Sequence, residues 1–541
     1  MRNTITRSTT EDTGDTEAKP VCVGFEPPVL RVHRGGGVLA TFRAALKGCA
    51  THDDDRRPEV AQAFKLANGR RRMIAVLAMA LAPIALAAQT FSSLAEPVRQ
   101  FVSVPETSVA LTHVRVVDGT GAPAREDQTI VIENGKITAV TLAREARVPA
   151  GARTLDLTDH TVIPGLVGMH DHTFYTTRGR SVQLQFSAPR LYLGSGVTTI
   201  RTTGGTSPYH EVNMKRAIDR GEIPGPRIHL TGPYLTGPGG SATMAQIGTP
   251  EEARRIVNYW ADEGVTWFKA YTDISREALG AAIDQAHKRG LKFTGHLCSV
   301  SFREAVELGI DSLEHGFFTN SDYVPNRQRD HCSPEMRTSL LNVAMDGPEV
   351  QRTIQAMVTN KVAMNSTLAV YELSYPDRPP LEDRVLEALA PETREEYLSS
   401  RRETSARAAQ STMPELFRRA QAFERAFVKA GGLLGAGVDP TGLGGALPGF
   451  GDQRNYELLL EAGFSPLETI QIMTLNGAKI LGVDKQLGSI AAGKTADLVV
   501  IRGNPIAQPA DIRNMTTVFK DGVGYDPAKL VAAVKGQVGI R

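Results

Sequence analysis

The stretch VIPGLVGMHDH at residues 162–172 is an apolar run that ends in two histidines two residues apart. In an extended strand alternate side chains share a face, so His170 and His172 point to one side and Asp171 to the other. Two neutral imidazoles at that spacing can hold one divalent ion, although such pairs also arise in hairpins and cores. Four more apolar runs carry polar residues at or just past their ends: TWFKAY (266–271) with Lys269, KFTGH (292–296) with His296, SLEHG (312–316) with His315, and LLGAGVD (433–439) with Asp439. Histidines, a lysine and an aspartate at equivalent ends of successive strands predict a metal centre at one mouth of a barrel.

The sequence between these runs supports that architecture. Further strand candidates lie at 197–202 (VTTIRT), 227–232 (RIHLTG) and 361–367 (KVAMNST), and amphipathic stretches separate them. Thr249-Pro-Glu-Glu252 and the capping box Ser301-Phe-Arg-Glu304 mark helix starts. Strands alternating with helices predict a (β/α)₈ TIM-like barrel over residues 164–482. The stretches 320–346 and 380–425 read as insertions over its mouth. Residues 107–163 and 483–525 are instead strand-rich with period-two patterning, and Asn134-Gly135 and Asp521-Gly522 are turn signals. These two segments predict one small composite β-sandwich domain formed from both ends of the mature chain.

The beginning of the chain reads differently. Residues 1–69 are polar and without apolar period, and are expected to be a disordered or spurious extension. Residues 70–88 place Arg70-Arg71-Arg72 before an apolar run and the small-residue site Ala85-Leu86-Ala87, a signal peptide pattern, with an uncleaved anchor as the alternative. Translation is expected to start near Met73, and the protein to be periplasmic or secreted. Once the signal is cleaved no membrane attachment is expected. A formal net charge of +2 on 541 residues gives no general affinity for nucleic acid or anionic lipid. Four cysteines are too few for a disulfide scaffold, and Cys298 and Cys332 are compatible with either a pair or free thiols.

Lys269 is the sharpest chemical clue. An ammonium repels cations and is costly inside a barrel. It is either a snorkelling side chain at a strand end or an amine that has reacted with CO₂ to form a carbamate able to bridge two metals. In the second case His296 and His315 complete a second ion and Asp439 contacts the first.

The motifs PGLVGMHDH, WFKAY, TGH, LEHG, GAGVDP and LGSIAAGKTADLVVI, spread over about residues 107–525, resemble the amidohydrolase superfamily. Within it they are similar to the binuclear carboxylated-lysine members, the prolidase-like and imidazolonepropionase-related groups. The resemblance implies a first metal on His170, His172 and Asp439, a second on His296 and His315, and a bridge through carboxylated Lys269. Zinc suits these donors, as do Mn, Co and Fe. It further implies hydrolysis of a carbon–nitrogen bond in a small amide, peptide-like or cyclic, with Asp439 moving the proton. Tyr271, two residues past Lys269, either faces the developing oxyanion or simply lines the mouth. Family members often form homo-oligomers. The competing readings are a mononuclear deaminase or imidazolone-type hydrolase on the same scaffold, and a non-catalytic barrel that only binds. Arg201, His210 and Cys298 are lesser candidates near the mouth, and the TGPGGS loop at 236–241 is a weak candidate for backbone anion binding.

Overall fold

Eight parallel staves form the barrel: β1 (Leu166–Asp171), β2 (Val197–Thr202), β3 (Arg227–His229, resumed after Leu230 as Thr231–Thr236), β4 (Trp267–Ala270), β5 (Lys292–Gly295), β6 (Ser312–Glu314), β7 (Ala363–Ser366) and β8 (Leu434–Ala436). The computed structural model describes residues 89–177, 180–440 and 444–540. The expected extension at 1–69 and signal peptide at 70–88 lie outside the described residues. The barrel closes where Gly168 of β1 pairs with Ile200 of β2 on one side and Ala436 of β8 on the other. The first half of β3 pairs with β2 and the second with β4, so the break at Leu230 bends one stave between its two neighbours.

Every residue of β1 and β2 is buried, as expected for strands covered on one face by helices and on the other by the barrel interior. The crossover helices begin where the sequence signals them. Thr249 caps Pro250–Asp262 by accepting from the Glu252 amide, Ser275 caps Arg276–Lys288, and Ser301 and Glu304 close a capping box before Phe302–Glu307. Helix and strand faces meet in one large core that includes Leu191, Ile200, Phe268, Phe293, Met364 and Phe423.

The second layer is a nine-stranded sheet drawn from both sides of the barrel sequence. His160–Pro164 stands at its join, parallel to Ser108–Val116 on one edge and antiparallel to Leu498–Arg502 on the other. Its own core gathers Val109, Leu111, Ile130 and Ile132 from the early strands with Leu498, Val500 and Phe519 from the late ones. This is the composite β-sandwich expected from the sequence. Asn134 and Gly135 both have positive φ (50° and 78°), as do Asp521 and Gly522 (53° and 82°), the geometry of tight hairpin turns.

Two insertions interrupt the barrel on the mouth side. The first carries the short helix Met336–Asn342 and is joined by a Cys298–Cys332 disulfide to the loop that follows β5. The second contains the helices Asp383–Ala388, Pro391–Ala406 and Met413–Lys429. Among the described residues no helix is long and apolar enough to cross a membrane.

Candidate metal centre

The carboxyl ends of five staves bring the predicted side chains together. His170 lies near the end of β1, and His172 just beyond it. Lys269 is on β4, His296 follows β5, His315 follows β6, and Asp439 lies three residues past β8. Two of these positions have unusual backbones. His315 (φ 64°) and Asp439 (φ 52°) are in the left-handed region, which is uncommon for residues with a Cβ. In a regular strand residues 314 and 315 would face opposite sides. The left-handed turn takes His315 out of that alternation and brings its ring within 4.4 Å of His170. Asp439 is held by its amide, which donates to the His170 carbonyl at 2.8 Å. That approach needs glycine at 437, where a Cβ would lie 2.2 Å from the His170 nitrogen.

The donor atoms are arranged as a ligand set. His170, His315 and Asp439 offer atoms that all lie within 4.8 Å of one another, and all three residues are buried. His315 Nδ1 is paired with Thr367 Oγ1 at 2.8 Å, which leaves its buried Nε2 without any hydrogen-bond partner. Asp439 also reaches His172, with 3.2 Å between Oδ1 and Nε2, while His172 Nδ1 lies 3.1 Å from the Gly204 carbonyl. Burial depresses the imidazoles, His172 to about 4 and His296 to about 3, and it lowers His170 and His315 as well. They are therefore neutral near pH 7, the form that ligates metal. Burial pushes the Asp439 carboxyl up, but His170, the hydrogen bond to His172 and His315 outweigh it and hold the group well below the usual carboxylate range. Neutral imidazoles beside a carboxylate, one with an orphaned nitrogen, fit a divalent ion.

The expectation of two ions bridged by a carboxylated Lys269 is corrected by this geometry. The described residues gather one cluster, and neither Lys269 nor His296 belongs to it. The Lys269 amine lies 3.1 Å from His170 Nε2 and over the Tyr234 ring at 5.2 Å. Burial lowers its pKa to about 8, which still leaves it largely protonated at neutral pH, a cation with no free electron pair for a metal. His296 stands beside the cluster, its ring 4.4 Å from His315 and 4.6 Å from Tyr271.

Tyr271 is half-buried at the mouth, edge-on to Tyr234 at 5.4 Å. Tyr234, whose hydroxyl is 3.4 Å from both ring nitrogens of His172, and Tyr371, 5.5 Å from His315, complete an aromatic wall that the sequence did not reveal. Arg201, a candidate substrate contact from the sequence, is instead fully buried inside the barrel, stacked 4.5 Å from the Trp267 ring. Its partner is Glu314, the residue before His315, and sequence reasoning missed that carboxylate too. Glu314 Oε2 lies 2.7 Å from His170 Nδ1. His210, another of those candidates, sits on the helix Pro208–Asp219.

Residues 161–326 and 422–531 match the sequence profile described as the amidohydrolase family. Among solved structures, a Bifidobacterium longum protein described as a candidate prolidase is 28% identical, with a TM-score of 0.56 over 79% of this chain and 98% of its own. An allantoinase of Streptomyces avermitilis is 38% identical over 97 residues, 18% of this chain and 20% of its own. Adenine deaminase 4 of Rhizobium meliloti is 35% identical over 66 residues, 12% and 11% of the two chains. The matched stretches thus span a fifth or less of these two curated relatives.

Proposed function

This chain belongs to the amidohydrolase family, and from that premise we propose that it is a metal-dependent hydrolase that cleaves a carbon–nitrogen bond with one divalent ion held by His170, His315 and Asp439. The observation that carries the reading is the buried donor cluster of His170, His315 and Asp439, in which His315 keeps one ring nitrogen without a partner. Zinc suits the imidazole and carboxylate donors. An ion there supplies Lewis acidity, polarising a carbonyl and lowering the pKa of a water.

The side chains do the rest. Asp439, ionised and buried at the mouth, takes a proton from the attacking water and returns it to the leaving nitrogen as general acid. His172 fixes that carboxylate from Oδ1, so Oδ2 stays turned toward His170 and His315. Tyr271 donates its hydroxyl hydrogen to the developing oxyanion; its pKa, raised by burial to about 12, keeps that proton in place. The wall of Tyr234, Tyr271 and Tyr371 favours a small amide with apolar flanks, such as a dipeptide, N-acyl amino acid or cyclic amide. The candidate prolidase, which matches along nearly its whole length, supports the peptide-like choice. As part of the same proposal the protein is exported to the periplasm or beyond. The Cys298–Cys332 disulfide supports this, because such bonds persist in oxidising compartments.

The test is metal titration of chelator-stripped protein, coupled to a panel of dipeptides, N-acyl amino acids, cyclic amides, aminopurines and lactones. One zinc per chain with amide hydrolysis restored at that stoichiometry is expected. A requirement for two ions, or hydrolysis of lactones alone, would overturn the reading.

A further inference from the structure

Glu314 is a carboxylate fully buried in the barrel, and it touches no solvent. Isolated there it would be expensive, yet it is met from four staves. His170 Nδ1 of β1 reaches Oε2 at 2.7 Å, and Asn365 Nδ2 of β7 reaches Oε1 at 3.2 Å. Thr294 Oγ1 of β5 and Arg201 Nη2 of β2 also donate to Oε1, the latter at 2.5 Å. Arg201 in turn is pinned by the Met169 carbonyl, next to His170 in the chain, and by the face of Trp267. Oε1 is therefore saturated by donors that fix the carboxylate, and Oε2 is left to a single partner, the His170 imidazole.

This geometry settles which ring nitrogen of His170 carries hydrogen. A carboxylate accepts only, so Nδ1 is the N–H and Nε2 carries the lone pair on the far side of the ring, where the Lys269 amine lies 3.1 Å away and Asp439 Oδ2 3.7 Å away. Rotating the ring away would break a short charge-assisted bond in a dry interior. We propose that Glu314 is the positioning residue of the centre, fixing the tautomer and orientation of His170 so that Nε2 is presented to the ion, with Arg201, Thr294 and Asn365 holding the carboxylate itself. The inference rests on the single-ion reading given above and adds to it the outer partner that makes one ligand competent. It also gives the adjacent pair Glu314-His315 two jobs at one centre, the first through His170 and the second directly.

Zinc affinity of the full chain, measured by competition with a chromophoric chelator, tests this without relying on turnover. Glu314→Gln removes the charge that fixes the tautomer, and Glu314→Asp keeps the charge and its partner Arg201 but draws the carboxylate back from Nδ1. Each should weaken zinc binding about 10- to 100-fold while far-UV circular dichroism of the metal-free protein stays as in the wild type. The cobalt-substituted variants should show altered visible absorption, since ligand orientation changes. If Glu314→Gln fails to fold, Glu314→Asp, with Arg201 still neutralised, decides alone. Folded variants that bind zinc within about threefold of the wild type, with an unchanged cobalt spectrum, would overturn the proposal. A wild-type chain that takes up no zinc would instead sink the metal reading, and this inference with it.

Discussion

Replacing Glu424 by Gln should make thermal stability less sensitive to rising pH. Glu424 lies on the helix Met413–Lys429, is 2% exposed, and accepts one hydrogen bond, from Ser366 Oγ at 3.0 Å. Burial raises its pKa from 4.5 to about 8 against that single bond. Below pH 4.5 folded and unfolded chains both carry the proton and nothing is lost. Between 4.5 and about 8 only the folded chain keeps it, so stability falls as pH rises, and above that range the loss is constant. Taken at face value the shift corresponds to about 5 kcal/mol, and relaxation of the site brings this to about 2–3 kcal/mol. A folded unit of this size loses about 1 kcal/mol per degree near its midpoint, so the effect is about 2–3 °C. Gln keeps the shape and stays neutral. Other buried acids such as Glu211 contribute equally to both proteins and cancel. Melting curves at constant ionic strength should therefore show the Glu424→Gln Tm gaining on the wild type by that amount between pH 5 and 8.5. Two Tm profiles that run parallel across this range would refute the reasoning.

Assayed at saturating zinc, since Asp439 is also a ligand, Asp439→Asn should lower kcat about 10²- to 10⁴-fold on any amide the wild type hydrolyses, because a proton carrier is lost. His315→Ala should abolish tight zinc binding in equilibrium dialysis, whereas His296→Ala, outside the donor cluster, should still bind about one ion per chain. Reducing the Cys298–Cys332 bond, or replacing both residues by Ser, frees a loop of 34 residues and should destabilise the chain by up to about 4 kcal/mol. Differential scanning calorimetry with and without reductant would read this as a drop in Tm.

Much of the molecule is legible in its sequence. Polar residues such as His170, Lys269 and His315 at the ends of apolar runs gave the barrel, its mouth and the aspartate from the last stave. The pattern is local, and strand alternation converts it into facing. What remained hidden depends on closure. Whether five stave ends supply one ion or two is a matter of distances between atoms, and spacing along the chain does not contain them. Lys269 shows this most clearly, because the same residue at the same strand end can serve as a bridge or hydrogen-bond to a ligand. Arg201 and Glu314 are 113 residues apart and meet only inside the closed barrel, so Arg201 alone reads as a candidate at the mouth and Glu314 carries no signal of its own. The left-handed turns at His315 and Asp439 are likewise hidden, since His and Asp enter that region more readily than most residues but do so at only a small minority of positions.

The join between the two layers bears on how the chain is made. His160–Pro164 finds its early partner, Ser108–Val116, soon after synthesis, but its other edge pairs only with Leu498–Arg502. Val102–Val104, the earliest strand among the described residues, waits longer still for Val523–Tyr525. At ordinary ribosomal speed the interval of 334 residues between Pro164 and Leu498 takes about 20 to 70 seconds. Throughout that time a half-built sheet presents a bare, apolar strand edge, the kind of template that recruits neighbouring chains. A nascent polypeptide of this design depends on being shielded or kept unfolded until its last fifty residues emerge, and the order of translation becomes a constraint on its solubility.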